Sequence, residues 1–337
     1  MRVYFYSPLT TALVLRGGEV VEVKVPQEVV NVSWQIWEAV GLSLYCDVVL
    51  SRESNYIVNA DVVFCPADTY IDVAYGIARQ IGVPLVMEFI SAPRLEPDEV
   101  WRKIFNYVKY VDGIVCVSPF VYRQWVKWLR ENNLSHIPIT YIPHGVNDLI
   151  ASKVNIYRER KGYITISALF KHKRIDLLIK LFGLMLRDDL TIVGMGPEYR
   201  ELLVLNRVYG EPAKFLGIVD EYTKFELLAS SRAFVSATHS EQFFIPMVEA
   251  NYMATPAIAY KQHVVYELHQ FNPAVFWWEK EDEFIKLVEW FDTLDNDKVI
   301  EIGLRGRKYV EENNMTLTRR SKLLADFLRE VVENRKR

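Results

Sequence analysis

The chain is 337 residues long, half hydrophobic and a quarter charged, with a formal net charge of −3. That length suits two α/β domains with large cores, and the charge argues against a nucleic-acid binder, which shows a strong basic excess. Cys46, Cys65 and Cys116 lie far apart and form no CxxC pair, which argues against a zinc knuckle or disulfide scaffold and fits reduced thiols in a cytoplasmic protein.

Val3 to Tyr6 reads as a strand, with no signal-peptide pattern before it. Thr10 to Leu15 reads as a short helix stopped by Gly17-Gly18, and Val20 to Val25 as the next strand. Val48 to Leu50, Asp61 to Cys65, Leu85 to Phe89 and Gly113 to Val117 are apolar runs without alternation, as in strands buried on both faces of a parallel sheet. Helical stretches lie between several of them, notably Ile71 to Ile81 and Asp98 to Val111. Thr140 to Val146 closes this half, and the polar stretch Asn147 to Lys161 is a candidate linker. The alternation restarts with strands at Tyr163 to Ser167, Leu190 to Val193, Ala213 to Leu216, Ala233 to Ser236 and Ala257 to Tyr260. Helices are expected at Ile175 to Leu186, Glu198 to Val208, Tyr222 to Ser230 and Pro246 to Met253, with a helical tail at Asp282 to Leu294, Asp297 to Asn313 and Leu317 to Val332. No apolar stretch approaches the roughly 18 to 20 residues of a membrane span. The expected architecture is α/β, with two Rossmann-like doubly wound domains facing a central cleft. One spans 1–150, with helix 317–337 packing back on it, and the other spans 151–316.

The most informative window is Ser236 to Pro256, SATHSEQFFIPMVEANYMATP. A strand ends, a polar loop follows, and a helix opens at Pro246, a residue favoured in the first turn. The loop delivers Glu241 and several backbone N–H groups to a helix N-terminus, which suits a diphosphate. Glu249 lies about one turn into the helix among Met247, Val248 and Ala250, and a carboxylate there can accept hydrogen bonds from a vicinal diol such as a ribose. Two isolated glutamates would read as solvated surface, but a carboxylate in an apolar stretch needs partners.

This window resembles the E-x7-E signature of family 4 glycosyltransferases, which usually reads SEGFGLPVLEAMACGTP. FKHKRIDLLIKLF, LTIVGMGPEYRELL, AKFLGIVDEYTKFELLASSRAFVSAT, CVSPFVYRQW and ITYIPHGVN resemble further family segments in the same order, from about Asp112 to Glu267. The resemblance implies a GT-B fold and a sugar transfer from a nucleoside-diphosphate sugar, with retention and without a metal or other cofactor. It places Glu241 and Lys173 in catalysis, Lys173 neutralising the departing diphosphate. It places Glu249 on the ribose and the backbone of Phe243 and Phe244 at the sugar or phosphates. Glycine stands in the family where Gln242 and Phe244 stand here, so their side chains are expected to crowd the donor.

The family's companion arginine, expected near Ser167-Ala168, is absent, and Lys171 or Arg174 is the candidate substitute. Gly194-Met195-Gly196 follows a strand but lacks the third small residue of a dinucleotide fingerprint, Tyr199 standing there. It reads as a tight turn beside the nucleotide, whose base Phe215 to Val219, including Gly217, would border. In the first domain the family's Gly-Gly loop and its histidine have no counterpart. Ser7, Thr10, Glu88, Ser118 and His144 are the candidate cleft residues there, Glu88 or Phe89 standing near the histidine's place. Asp295-Asn296-Asp297 imitates a metal-binding DxD but lies between helices, where N-capping by Asp295 or Asn296 explains it.

The missing residues keep two other readings open, a non-catalytic nucleotide- or sugar-binding relative and a nucleotide-sugar epimerase. The acceptor is left as a glycan, a lipid or a small molecule. Val100 to Tyr110 and Phe120 to Arg130 mix Trp101, Trp125 and Trp128 with Lys and Arg. Such helices either lie on an anionic membrane at its inner face or pack their rings on the sheet. Exposure of the tryptophans separates the two.

Overall fold

The structure, a computed structural model, describes residues 1–7, 13–23, 34–51, 59–94 and 97–336. The chain divides into two units, Met1–His144 with Leu317–Arg337, and Gly145–Thr316.

In the first unit the elements are β1 (Arg2–Tyr6), β2 (Leu13–Arg16), β3 (Glu19–Val23), α1 (Trp34–Leu42), β4 (Asp47–Ser51), β5 (Val62–Cys65), α2 (Ile71–Ile81), β6 (Leu85–Phe89), α3 (Glu99–Tyr107), β7 (Gly113–Cys116), α4 (Pro119–Glu131) and β8 (Ile139–Tyr141). They form one eight-stranded sheet of order β3-β2-β4-β1-β5-β6-β7-β8. From β4 to β8 all neighbours are parallel, and both faces are buried. Tyr4, Val63, Met87 and Ile114 enter one hydrophobic cluster, while Val3, Phe5, Val62 and Val86 are buried among the alternate residues.

The helix expected at Thr10 to Leu15 is not formed where the chain is described. Leu13–Arg16 is a strand, antiparallel to β3 and to β4. Gly17 and Gly18, both at positive φ (57° and 85°), make the two-residue turn joining β2 to β3. Apolar residues here serve an edge hairpin, whose period the short run Leu13-Val14-Leu15 could not distinguish from a helix. Thr10 lies outside the described residues.

The aromatic-basic helices turn their rings inward. Asp98 caps α3, accepting from Trp101 N at 3.0 Å, and Ser118 caps α4, accepting from Val121 N at 3.3 Å. From α4, Val121, Trp125 and Leu129 share one buried face. Trp125 is fully buried, stacks on Phe89 at 4.1 Å and donates from Nε1 to Ser91 O at 2.9 Å. Trp101 is buried beside it, and Trp128, half-buried, stacks on Phe105 at 4.8 Å. The rings are spent on packing against the sheet, which removes the observation on which membrane contact rested.

The second unit holds α5 (Asp148–Ala151), β9 (Tyr163–Ile166), α6 (Ile175–Leu184), β10 (Leu190–Val193), α7 (Tyr199–Val208), β11 (Ala213–Gly217), α8 (Glu221–Ser230), β12 (Ala233–Ser236), α9 (Ile245–Tyr252), β13 (Ala257–Tyr260), α10 (His263–His269), β14 (Val275–Trp278), α11 (Glu281–Thr293) and α12 (Asn296–Glu312). The six strands run parallel in the order β11-β10-β9-β12-β13-β14. That is the doubly wound Rossmann order, with a hydrophobic cluster on each face. Phe234 of β12 enters one and its neighbour Val235 the other.

The stretch 147–161, expected as a linker, is part of this unit. Ala151, Val154 and Ile156 enter its core. Arg160, 2% exposed, donates to the carbonyls of Ile156 (2.9 Å) and Met253 (3.1 Å). The chain crosses between units at 144/145 instead, because a few apolar side chains in a polar stretch suffice to dock it. Asp295 caps α12, accepting from Lys298 N at 2.7 Å, as its position between helices predicts.

The last helix, α13 (Leu317–Lys336), returns to the first unit and packs along α1. Gly41 permits the close approach, since a Cβ there would meet Ser321 Oγ at 2.5 Å.

Candidate functional site

In the second unit the strand order reverses between β9 and β12, so the loops leaving those strands part to opposite faces and open a crevice at their carboxyl ends. The loop after β9 leads into a 3-10 turn, Lys171–Lys173, and then Arg174 at φ 52° before α6 begins. The loop after β12 carries Thr238 to Phe244 into α9. The two loops are tied at one carbonyl: His172 O accepts from His239 N (3.3 Å) and Thr238 Oγ1 (3.4 Å).

Across this junction Lys173 Nζ pairs with Glu241 Oε1, joining residues 68 apart in sequence. Their side chains keep 16% and 19% of their exposure, so a ligand can reach both charges. Lys171 is exposed. Arg174 places its guanidinium over the Tyr260 ring at 5.5 Å.

Beside them the exit of β10 is built for close backbone approach. Gly194 has φ 131°, and a Cβ there would meet Ser167 O at 1.9 Å; one on Gly196 would meet Leu169 N at 2.6 Å. Only glycine lets these loops pass so closely. Gly194 N donates to Gly217 O at 2.7 Å, tying in β11, and Phe215 stands half-buried with its ring edge-on to Tyr199 at 5.7 Å.

At the mouth of α9, Phe244 takes φ 73°, a left-handed conformation that costs a non-glycine residue about 1–3 kcal/mol. That cost explains why glycine serves the position in the resembling motif. Here the ring offsets it. Phe244 is 6% exposed and lies against Phe234 at 5.7 Å, and Phe243 is buried likewise. The expected crowding of the donor is therefore corrected for Phe244, while Gln242 is half-buried. Both rings point into the core, because apolar surface gains more from burial than from a polar crevice.

Glu249, 5% exposed, sits on the buried side of α9. Lys224 of α8 donates to its Oε1 at 2.6 Å and to Glu221 Oε1 at 2.6 Å. Asn147 Nδ2 reaches Glu221 Oε2 at 3.4 Å. Burial raises the Glu249 carboxyl above its ordinary range, against the opposing pull of Lys224. Burial also works against the Lys224 ammonium, but Glu249 and Glu221 outweigh it and hold it above its ordinary value. Sequence reasoning missed Lys224. Its only signal is a basic residue in the first turn of a helix, where the dipole disfavours a cation.

The described first-unit candidates, Ser7, Glu88, Ser118 and His144, are all buried. Ser7 is buried, its Oγ donating to Gln35 Oε1 at 2.8 Å, and Ser118 is the buried cap of α4. Glu88 is sealed at the end of β6 in a cluster centred on Arg320. That guanidinium pairs with Glu88, donates to Glu38 Oε1 at 2.6 Å, and donates to the carbonyls of Ile142 and Pro143 at 3.0 Å each. His144 Nε2 stands 3.6 Å from Glu88 Oε1. Burial pushes the Glu88 carboxyl up to about 8, against Arg320, with Glu38 adding to the rise. Burial, then Arg320, drives His144 well below its usual value.

On the sheet edge, a groove of about 560 Å³ is bordered by Lys261, Tyr266, Trp277 and Glu279. None of the expected donor residues lines it. Among the described residues, no helix is long and apolar enough to cross a membrane.

Residues 146–291 match the family model described as "Glycosyl transferases group 1". A protein bearing the name glycosyltransferase 63, from Sulfolobus islandicus filamentous virus, is 30% identical over 145 residues. The aligned stretch is 42% of this chain and about half of that relative, 49%. The fold is similar to that of the Anabaena protein HepE in complex with UDP and glucose, with a TM-score of 0.65 and 16% identity over 80% of this chain and 77% of that one. It is also similar to sucrose-phosphate synthase from Thermosynechococcus elongatus, with a TM-score of 0.69 and 13% identity over 99% of both chains. The fold is thus GT-B, and the site described above falls within the matched segment.

Proposed function

We propose that this chain, a GT-B protein whose residues 146–291 carry a glycosyl transferases group 1 domain, transfers a sugar from a nucleoside-diphosphate sugar to an acceptor. One observation carries the reading. Lys173 and Glu241, from loops 68 residues apart, meet in reach of solvent at the switch point of a Rossmann sheet, where nucleotides bind.

In this reading the diphosphate takes Lys173 as its counter-charge as the bond to the sugar breaks. A positive charge fixed in advance stabilises the leaving group without a metal or other cofactor. Glu241, released from Lys173 by the phosphates, turns to the donor sugar. The amides of Phe243 and Phe244 stand at the α9 N-terminus, where partial positive charge favours the anion. The turn of Gly194 and Gly196 and the strand end at Phe215 and Gly217 border the nucleotide. Glu249 accepts from the ribose hydroxyls. Lys171 is exposed next to Lys173 and adds positive potential, whereas Arg174 is engaged with Tyr260. Retention of configuration follows from the family reading. UDP is the first nucleotide to try, because solved structures of similar fold carry UDP or UDP-glucose.

We place the acceptor, a glycan, lipid or small molecule, on the first unit. The chain works on the cytoplasmic side, its cysteines unpaired and Cys65 and Cys116 buried.

The test is release of nucleoside diphosphate from UDP-, GDP- and ADP-sugars by purified protein, with and without EDTA. Turnover of one donor, unchanged by EDTA and lost in Glu241→Ala with nucleotide affinity kept, is expected. Tight nucleotide binding with no turnover toward any acceptor tried, or conversion of the free donor to its epimer, would refute transfer.

A further inference from the structure

We propose that Lys224 is a positioning residue of the donor site, fixing one oxygen of Glu249 so that the other faces the ligand hydroxyls as an ionised acceptor. The proposal rests on the reading of Glu249 as the ribose-binding carboxylate.

The geometry is specific. Lys224 Nζ lies 2.6 Å from Glu249 Oε1 and 2.6 Å from Glu221 Oε1, and its third direction meets the face of Phe225, 4.8 Å from the ring centroid. Its side chain is 14% exposed and that of Glu249 7%. Oε1 of Glu249 takes the ammonium. Oε2 makes no hydrogen bond among the described residues and is not sealed from solvent, so its lone pairs remain within reach.

A stability role accounts poorly for this arrangement. A cation in the first turn of α8 opposes the helix dipole, and a buried ion pair contributes little net stability after desolvation. What the pair does supply is a cation that opposes the burial-driven rise of the Glu249 carboxyl and a fixed orientation of that group. Without Lys224, burial and the neighbouring Glu221 would both favour a protonated Glu249, which accepts fewer hydrogen bonds. The other charges that act on α9 are Asp148 of α5 and Arg307 and Glu311 of α12. These act on Tyr252, with Arg307 over its ring at 4.2 Å.

The experiment is nucleotide titration by calorimetry from pH 6 to 8.5, using whichever of UDP, GDP and ADP binds the wild-type chain. Glu249→Ala, Lys224→Met, Lys224→Gln and Lys224→Arg are compared after circular dichroism has confirmed folding. Wild type and Lys224→Arg should show flatter profiles than the neutral variants at 224, and Glu249→Ala a weak flat one. The neutral variants at 224 should lose affinity as pH falls, by about tenfold per pH unit below the raised carboxyl pKa. Lys224→Gln, which keeps a polar group in the gap, serves if Lys224→Met does not fold. Weak binding in Glu249→Ala with wild-type affinity and a profile no steeper than wild type in the neutral 224 variants would overturn the proposal while leaving the Glu249 reading intact. Wild-type affinity in Glu249→Ala, or no binding of any of the three nucleotides to wild type, would remove the reading beneath it.

Discussion

Two clusters of opposite charge hold this molecule's chemistry, one in each unit, and they differ in water. Around Arg320, two carboxylates and two carbonyls converge on a guanidinium whose side chain is 2% exposed. At the switch point of the second sheet, Lys173 and Glu241 form one pair that keeps nearly a fifth of its exposure. The same residue types therefore serve opposite ends. A sealed charge needs its partners within the fold, so the Arg320 cluster clamps α13, α1, β6 and the segment before the 144/145 crossing. An open pair is cheap to separate, so Lys173 and Glu241 can exchange each other for a ligand.

The largest effect that would test this contrast is Arg320→Leu. It removes the cation shared by Glu38 and Glu88 and leaves their oxygens and the carbonyls of Ile142 and Pro143 buried without that donor, which should destabilise the fold by about 3–5 kcal/mol, read by urea unfolding. A change below about 1 kcal/mol would mean the cluster is not sealed in solution. Lys173→Met should give the reverse pattern. Turnover should fall by about 10²–10³-fold, as when a charge-stabilising donor is lost, while stability changes by no more than about 1 kcal/mol. Equal losses of stability in the two variants would erase the distinction.

A smaller effect separates the clusters by pH. Glu88 is raised to about 8, so the folded state holds a proton that the unfolded chain has released. Its contribution to stability is full below the unfolded value near 4.5 and is lost as pH rises through about 8. Glu38, also raised, has the same sign. His144 is lowered and acts oppositely, but only below its ordinary value of 6.5. Stability should thus decline from pH 6.5 to 8 by at most about 1.4 kcal/mol per pH unit for one proton. Glu88→Gln should flatten that slope, and a slope unchanged in this variant would reassign the proton. The smallest effect concerns burial of aromatic rather than charged groups. Anionic vesicles at low salt should leave tryptophan emission unshifted, since Trp101 and Trp125 are already packed; a blue shift with co-sedimentation would reopen membrane contact.

The sequence was legible where the signal is local. Unalternated apolar runs marked most strands of both sheets, and a proline behind a polar loop marked the mouth of α9. It was ambiguous where two structures share a short pattern. Leu13-Val14-Leu15 fits one helical turn or an edge strand, and pairing with β4 decided for the strand. β14 and α10, both missed, lie in a stretch whose aromatic residues Phe276, Trp277 and Trp278 follow neither period cleanly.

By itself, then, the sequence determined two rounds of βα alternation, the glycines that only close backbone contact explains, and the loop-helix window that carries Glu241 and Glu249. Tertiary structure decided what these residues touch. Lys173 meets Glu241 because the strand order sets β9 beside β12, although β10, β11 and three helices intervene in the chain. Glu249 meets Lys224 because α8 packs on α9, and Glu88 meets Arg320 because α13 returns across 232 residues to the first sheet. Periodicity records which face of an element is buried, whereas the partner on that face is chosen by strand order and helix packing, which no local pattern contains.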